Sequence, residues 1–155
     1  MDIGSGNGFP EAALSNFPPR PFTLDGVAIA SMEGWLQSLK FDKPHIQEVV
    51  CTLVGLVAKR RGQKRNKAWK STQTLWWRGV PMARDSQAYQ DLLDRGYQAA
   101  FDQHEGFRKA LDAAEGAVLR HSIGKSKITE TVLTEREMCS RLTKLRDGIR
   151  LTPAS

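Results

Sequence analysis

A tight turn that leads directly into a capped amphipathic helix constrains this chain more than any other feature. Asp25-Gly26 separates two short apolar runs, 22–24 and 27–29, which is the two-residue signal for a β-hairpin whose turn needs positive φ. Ser31 follows as a candidate N-cap, because its hydroxyl can accept a hydrogen bond from a free backbone N–H of the first turn. We therefore predict a hairpin followed by a helix that runs to about Phe41.

The predicted helix has an apolar side and a polar side. At about 100° per residue, Glu33, Gln37 and Lys40 fall on one narrow stripe that is separate from the apolar sector. With a rise of ~1.5 Å per residue, Glu33 and Lys40 lie ~10 Å apart along the axis, with Gln37 between them. The stripe is either the solvated face of an amphipathic helix or one wall of a binding site, and the spacing alone leaves both open. The apolar sector comprises Met32, Trp35, Leu36 and Leu39.

Apolar side chains that recur every three or four residues predict four more helices. Pro44 lies near the start of the first, Asp85 or Ser86 caps the second, and Thr134 with Glu137 forms a capping box for the last. The predicted fold class is mainly α with a small β-hairpin element, an α+β single domain. The apolar positions are Ile46, Val49, Val50, Leu53 and Val57; Tyr89, Leu92, Leu93, Tyr97 and Ala100; Phe107, Leu111, Ala114 and Val118; and Met138, Leu142, Leu145 and Ile149.

Length and composition limit the class of protein. A chain of 155 residues is long enough for one domain with its own core. We predict a flexible Gly-rich lead over 1–13, a domain over 14–150 and a tail over 151–155. The chain lacks an apolar run of about 18 residues and a basic start followed by an apolar block, so we expect a cytoplasmic protein with no membrane partner. Cys51 and Cys139 have no second ligand at metal-binding spacing, so we expect buried free thiols, no metal and no cofactor.

One segment makes the protein basic. The net charge is +6, and seven Lys and Arg side chains between residues 59 and 70 occur with no acidic residue among them. A field of this kind attracts phosphate groups, although a solvated surface or a nuclear-localisation signal has the same pattern. Trp69, Trp76 and Trp77 lie at its end and are candidates either for stacking on bases or for the core. The seven basic residues are Lys59, Arg60, Arg61, Lys64, Arg65, Lys67 and Lys70.

An ordered series of short motifs occupies residues 14–41. A Leu-Ser-Asn-Phe segment and the Asp-Gly turn lead into Ser-x-Glu, which ends at Glu33, and then into Gln-x-x-Lys-Phe, which ends at Phe41. This series resembles the opening motif of the NADAR (YbiA-like) family, and looser similarity continues to about residue 150. Gly34 and Leu36 depart from the His and Tyr that are usual there. The looser matches lie at 55–59, 70–79, 84–86 with Tyr89, 121–125, 131–134 and 145–146, and His121-Ser122-Ile123-Gly124 replaces the family's Asp-x-x-Trp-Gly.

The resemblance implies a compact YbiA-like fold and an enzyme, an N-glycosidase that breaks N-glycosidic bonds to ribose. Its most specific form is removal of ADP-ribose from guanine in nucleic acid, with Glu33 and Lys40 as the catalytic pair. The implied partner is ADP-ribosylated nucleic acid or a nucleotide-like small molecule. The substrate-binding candidates are Asn16, Phe17, Gln37, Lys59, Trp77, Arg84, Tyr89, His121 and Thr131.

Two other functions and two chemical routes stay open. The protein could hydrolyse a small phosphoribosyl intermediate like those of the riboflavin pathway, or bind ADP-ribose or nucleic acid without chemistry. In one route, Glu33 stabilises a developing oxocarbenium ion or orients water, while Lys40 and Gln37 bind the sugar hydroxyls or the leaving base. In the other, Lys40 attacks the open-chain sugar aldehyde and forms a Schiff base, which requires its pKa to fall from ~10.4.

Overall fold

A computed structural model describes residues 1–149 as helices arranged around two separate antiparallel hairpins. The α+β class predicted from the sequence is confirmed. The strands pair in sequence order, β1 with β2 and β3 with β4. The elements are α1 (Glu11–Leu14), β1 (Phe22–Leu24), β2 (Val27–Ile29), α2 (Met32–Ser38), α3 (Pro44–Cys51), α4 (Gly55–Gln63), α5 (Asn66–Thr72), β3 (Thr74–Trp77), β4 (Val80–Ala83), α6 (Gln87–Gln103), α7 (Glu105–Ala113) and α8 (Glu135–Ile149).

The hairpin and the helix that follows it form as predicted. Asp25 and Gly26 have φ of 49° and 78°, so both turn residues adopt the positive φ that a two-residue hairpin needs. The Ser31 hydroxyl accepts a hydrogen bond from the backbone N–H of Gly34 at 3.0 Å, which confirms the N-cap. Helix α2 ends at Ser38, before the predicted end near Phe41.

The core forms where α2 packs against α3 and α4 on one side and the long helix α6 packs against β1, α7 and α8. Trp35 of α2 is fully buried and meets the edge of Trp77 from β3, with ring centroids 6.2 Å apart at 82°. Burial of large aromatic rings contributes a major share of the stability of such a core. The apolar side of α2 is therefore fixed in the interior, and its polar stripe is left to face a neighbouring surface.

The helix predicted to begin near Pro44 is wrong as one continuous element. The chain leaves the helix after Cys51, passes through an extended residue at Val54, and starts α4 at Gly55 with a φ of 54°. Val49 and Val57, which the periodicity places on one apolar face, are 59% and 61% exposed. Two short helices can each turn a different face toward α2, which one straight helix cannot do.

A second hairpin, β3 with β4, is not predicted by the sequence. Its two-residue turn is Arg78-Gly79, with φ of 53° and 82°. Arg is not among the residues that usually mark such turns, so the turn sequence does not indicate a hairpin. Trp76 and Trp77 are adjacent in β3 and Pro81 lies in β4, so neither strand shows the alternation of apolar and polar residues that predicts a strand. The two missed strands carry Trp77 into the core, where it packs on α2.

The prediction of a flexible lead over residues 1–13 is corrected. Ile3 is 1% exposed, and its backbone N–H donates to the carbonyl of Arg120 at 2.7 Å. The carboxylate of Asp2 accepts hydrogen bonds from the backbone N–H and the hydroxyl of Ser122 at 2.8 and 2.6 Å. Residues 11–14 add the short helix α1. The glycine-rich sequence has no periodic apolar pattern that would predict structure here. Residues 2 and 3 are instead held in place by hydrogen bonds to residues 120 and 122. The predicted tail over 151–155 lies outside the described residues.

The last three predicted helices are confirmed as α6, α7 and α8. Ser86 caps α6, and Thr134 exchanges hydrogen bonds with Glu137, at 2.8 and 3.1 Å, as a capping box requires. Val118 lies beyond the end of α7 and is 76% exposed, so its predicted place on an apolar face is wrong. Across residues 1–149, none of the helices is both long and apolar enough to cross a bilayer.

Candidate active site

Glu33 and Gln37, two members of the polar stripe of α2, line a cleft of about 250 Å³. The other walls come from the segment before the first hairpin, from α4 and from the loop between residues 121 and 134. These segments are far apart in the sequence, and the fold brings them together around Glu33. The lining residues are Ser5, Ser15, Asn16, Phe17, Glu33, Leu36, Gln37, Lys59, His121, Ile123, Gly124, Lys125, Thr131, Val132, Leu133 and Met138.

Glu33 sits in the first turn of α2 and lines this cleft. Its carboxylate accepts a hydrogen bond from Gln37 Nε2 at 2.8 Å, and its backbone N–H donates to the carbonyl of Asn16 at 3.0 Å. Burial raises the pKa of Glu33 above its usual value near 4.5, although the bond from Gln37 and the charge of Lys40 oppose the shift. A carboxyl group of this kind can carry a negative charge next to substrate and also hold a proton more readily than an exposed one.

Lys40 lies just beyond the end of α2 and is 5% exposed. Its ammonium group donates to Asn66 Oδ1 at 2.6 Å. Burial lowers the pKa of Lys40 to about 8, and the nearby carboxylate of Glu33 opposes that shift. Lys40 does not line the cleft, so the predicted pair is split: Glu33 faces the space, and Lys40 acts on it as a buried neighbouring charge.

Two glycines allow α2 to be approached closely at this site. A Cβ at Gly34 would collide with the backbone carbonyl of Leu53 and would come within 3.2 Å of the carbonyl of Val50. A Cβ at Gly62 of α4 would overlap the amide of Gln37 and lie 2.9 Å from its Cβ. The departure at Gly34 from the His of the resembled family therefore has a packing cause, because the connection between α3 and α4 occupies that space.

We expect Gly62→Ala to lower the stability of the protein, because it displaces a side chain that belongs to the site. The added methyl group must displace the Gln37 side chain, which is buried and supports the Glu33 carboxylate. Overpacking of this kind costs about 1–3 kcal/mol of unfolding free energy. Thermal unfolding of Gly62→Ala and of Gly148→Ala, where nothing lies within 4 Å of the added Cβ, measures the effect. Equal melting temperatures for both variants would contradict this packing argument.

Six of the predicted substrate-binding residues line the cleft: Asn16, Phe17, Gln37, Lys59, His121 and Thr131. Tyr97 holds Asn16 in place, since its hydroxyl donates to Asn16 Oδ1 at 3.0 Å. His121 Nδ1 lies 2.8 Å from the carbonyl of Ile3. A carbonyl only accepts, so Nδ1 of His121 is the donor in this contact. Sequence separation gives no indication that these six residues share one surface.

The other three predicted substrate-binding residues are corrected, because the structure buries them away from the cleft lining. The indole N–H of Trp77 donates to Asp25 Oδ2 at 2.8 Å and so ties β3 to the first hairpin. Arg84 donates from Nε to the carbonyl of Thr131 at 2.9 Å, and the Tyr89 hydroxyl donates to the carbonyl of Val132 at 2.6 Å. Arg84 and Tyr89 therefore hold the wall of the cleft from behind.

A buried ion pair completes that support. The guanidinium of Arg84 makes two hydrogen bonds to Glu137, at 2.6 and 3.1 Å, and Gln90 donates to the same carboxylate at 2.7 Å. Burial alone would raise the pKa of Glu137, but these bonds and one from the backbone of Thr134 hold it below its usual value. The sequence identifies Glu137 only as a capping residue. Its second role depends on α6 and α8 lying side by side.

The basic segment is divided among several roles. Lys59 is its one member among the cleft-lining residues. Arg61 and Arg65 stack on the ring of Phe41, 4.7 and 5.9 Å from its centroid, and Lys70 pairs with Glu130 at 3.4 Å.

The structure also buries Trp69, so of the three tryptophans only Trp76, which is half-buried, retains exposed ring surface for stacking. The cleft residues Lys125, Ile123 and Met138 are not assigned by the sequence, although Lys125 lies in a loop of small polar residues and cations.

Within residues 1–149, the potential metal ligands are not clustered and the two thiols are unpaired. Within residues 1–149, no group of three His, Cys, Asp or Glu side chains is arranged to hold a metal ion. Cys51 is buried and Cys139 is half-buried, and both are free. Burial raises the pKa of each thiol to about 11, so both are protonated near neutral pH and are poor nucleophiles.

The fold defines a YbiA-like class of protein. The solved structure of YbiA from E. coli is similar with a TM-score of 0.63 and 18% identity, covering 96% of this chain and 83% of that chain. The family model of bacteriophage protein GP30.3 matches residues 8–147. An uncharacterized 17.1 kDa protein in the Gp30-rIII intergenic region of Enterobacteria phage T4 is 39% identical over 150 residues, spanning 96% of this chain and 98% of that protein. This chain therefore belongs to the bacteriophage protein GP30.3 family, and the YbiA-like NADAR assignment made from the motifs is confirmed.

Proposed function

We propose that this protein is an N-glycosidase that hydrolyses a bond between ribose and a nitrogen base, with removal of ADP-ribose from guanine in nucleic acid as its most specific activity. The observation that carries the proposal is the placement of Glu33, a carboxylate in a cleft of nucleotide-fragment size, between an amide donor and a buried cation. The motifs between residues 14 and 41 support the same reaction class through the family resemblance.

The chemistry requires a negative charge beside the sugar. As the bond from the base nitrogen to C1′ of ribose breaks, the base leaves with the bonding electrons and C1′ acquires oxocarbenium character. Glu33, when ionised, stabilises that positive charge and can orient the water that adds to C1′. Gln37 holds the carboxylate at 2.8 Å from its own Nε2 and so fixes its direction.

Lys40 acts through Glu33 in this proposal. The burial that makes Glu33 effective also favours its protonated form, and a protonated carboxyl cannot stabilise a cation. The ammonium of Lys40, held by Asn66, opposes that protonation. The Schiff-base route instead requires the same amine to leave Asn66 and enter the cleft as a neutral nucleophile.

A direct assay tests the proposal. We expect the purified full-length protein to release ADP-ribose from an oligonucleotide that carries ADP-ribosylated guanine, as followed by chromatography of the products. Parallel incubation with a small phosphoribosyl substrate tests the alternative function. Release from neither substrate, by protein that is folded by circular dichroism, would overturn the glycosidase proposal and favour binding without chemistry.

The pH profile tests the role of Lys40. In wild-type protein, the acid limb of the activity profile should lie above pH 4.5, because burial raises the pKa of Glu33. Lys40→Met removes the charge that opposes this shift, so the limb should move to higher pH and activity at neutral pH should fall. Lys67→Met, at an exposed position of the basic segment, is the control and should leave the limb in place.

Reduction with borohydride during turnover distinguishes the two routes. The pKa of Lys40 of about 8 leaves roughly a tenth of the amine neutral at pH 7. If Lys40 acts through Glu33, mass spectrometry should find no reduced sugar adduct on Lys40. An adduct that accumulates with substrate would instead establish the Schiff-base route.

A further inference from the structure

The cleft carries more positive charge than its own carboxylate can balance. Lys59 extends from α4 on one wall and Lys125 from the loop on another, and both are exposed. Glu33 is the one acidic side chain among the lining residues. Both lysines also act on Lys40: burial is the largest cause of its lowered pKa, and repulsion from Lys125 and Lys59 adds to it. The ammonium groups of Lys40 and Lys59 act on Glu33, and that of Lys125 acts on Lys40.

Neither of the two lining lysines takes part in an ion pair within residues 1–149. The carboxylate nearest in sequence to Lys125, Glu130, is paired with Lys70 at 3.4 Å. Glu33 feels the charge of Lys59, but one carboxylate cannot balance the two ammonium groups of Lys59 and Lys125 in the cleft lining. Like charges that face a common concave space repel one another and focus a positive potential there, and a bound anion relieves both effects.

We propose that Lys59 and Lys125 form a phosphate-binding clamp across this cleft and select phosphorylated over unphosphorylated ribosides. A phosphate or diphosphate group is the fitting anion, because its several oxygens can accept from ammonium groups on two walls at once. The inference rests on the proposed function for its biological meaning, since it names the anionic group beside the ribose that Glu33 would act on. Its binding step, however, can be measured without turnover.

The loop that carries Lys125 is held in position for such a role. Asp2 binds both the backbone N–H and the hydroxyl of Ser122, and Glu135 accepts from the backbone N–H of His121 at 2.7 Å. The backbone N–H of Glu135 in turn donates to the carbonyl of Lys125 at 3.0 Å. The backbone at Lys125 is therefore fixed relative to α8, and only the flexible side chain has to adjust to an anion.

Calorimetric titration of the full-length protein tests the clamp with ADP-ribose and with adenosine as probes. Wild-type protein should bind ADP-ribose at least about tenfold more tightly than adenosine. Lys125→Ala and Lys59→Ala should each weaken ADP-ribose binding by about tenfold and leave adenosine binding unchanged. The matched controls are Lys127→Ala, on the same loop but not lining the cleft, and Lys67→Ala in the basic segment; each should change affinity by less than about twofold.

The outcomes separate this proposal from the proposed function. Equal binding of ADP-ribose and adenosine by wild-type protein, or equal weakening by all four variants, would overturn the clamp even if the protein is a glycosidase. Selective loss in the two cleft variants would support it even if no hydrolysis occurs. A short single-stranded oligonucleotide without ADP-ribose identifies the source of the phosphate: selective loss of its binding in Lys125→Ala and Lys59→Ala would support a clamp that takes phosphates of the polymer backbone.

Discussion

Glu33→Gln should reduce hydrolysis by at least about 100-fold, while the protein stays folded. Gln matches Glu in size but carries no charge, so it cannot stabilise the oxocarbenium ion that forms as the base leaves. The desolvation that raises the pKa of Glu33 shows that its ionised form is costly in the folded protein. We therefore expect the melting temperature of Glu33→Gln near neutral pH to equal or exceed that of wild type, as is usual when a functional group is replaced.

The measurement needs a control that separates charge from fold. Glu105→Gln makes the same change on α7, where Glu105 is 71% exposed in an ion pair with Lys109, and should have wild-type activity. Glu33→Asp keeps the charge but shortens the side chain, so it should retain part of the activity. If Glu33→Gln hydrolyses substrate at the wild-type rate, Glu33 has no catalytic role.

Arg84→Met should destabilise the protein by about 3–5 kcal/mol, which is the expected cost of leaving one member of a buried ion pair without its partner. The side chains of Arg84 and Glu137 are 1% and 10% exposed, and two hydrogen bonds join them. Loss of the guanidinium also frees the carbonyl of Thr131, which lies in the wall of the cleft. At this chain length the melting temperature should fall by on the order of 10 °C.

Arg120→Met provides the matched comparison. Arg120 makes a similar two-bond contact with Glu135, at 3.1 and 3.4 Å, but its side chain is 65% exposed. Water screens that pair, so its loss should cost less than about 1 kcal/mol. If Arg84→Met and Arg120→Met have similar melting temperatures, the buried ion pair contributes no more to stability than the exposed one, and the prediction is wrong.

The local elements around the site could be predicted because their signals lie within a few residues. The Asp25-Gly26 turn, the Ser31 cap and the capping box of Thr134 with Glu137 each depend on hydrogen bonds or dihedral angles that near neighbours determine. The family motifs are also local strings, which is why they identified Glu33 and Lys40 as residues of interest.

Periodicity failed where packing against another segment decided the outcome. Val49 and Val57 fit one helical face in the sequence, but the break at Gly55 directs them to solvent. The first thirteen residues have no periodic pattern, yet Ile3 is buried because its backbone pairs with the chain near Arg120. The contact between Ile3 and Arg120 joins residues more than a hundred positions apart, and no local propensity encodes it.

The sequence by itself determined the hairpin, the capped helix and the residue types that its polar stripe presents. Only the tertiary structure decided that Glu33 faces a cleft while Lys40 lies buried beside Asn66, that Arg84 and Tyr89 support a wall, and that Lys59 and Lys125 line the same cleft. The physical reason is that caps and turns are satisfied by neighbours along the chain. Burial, and with it the pKa of a carboxyl or an amine, depends on every segment that packs around the group.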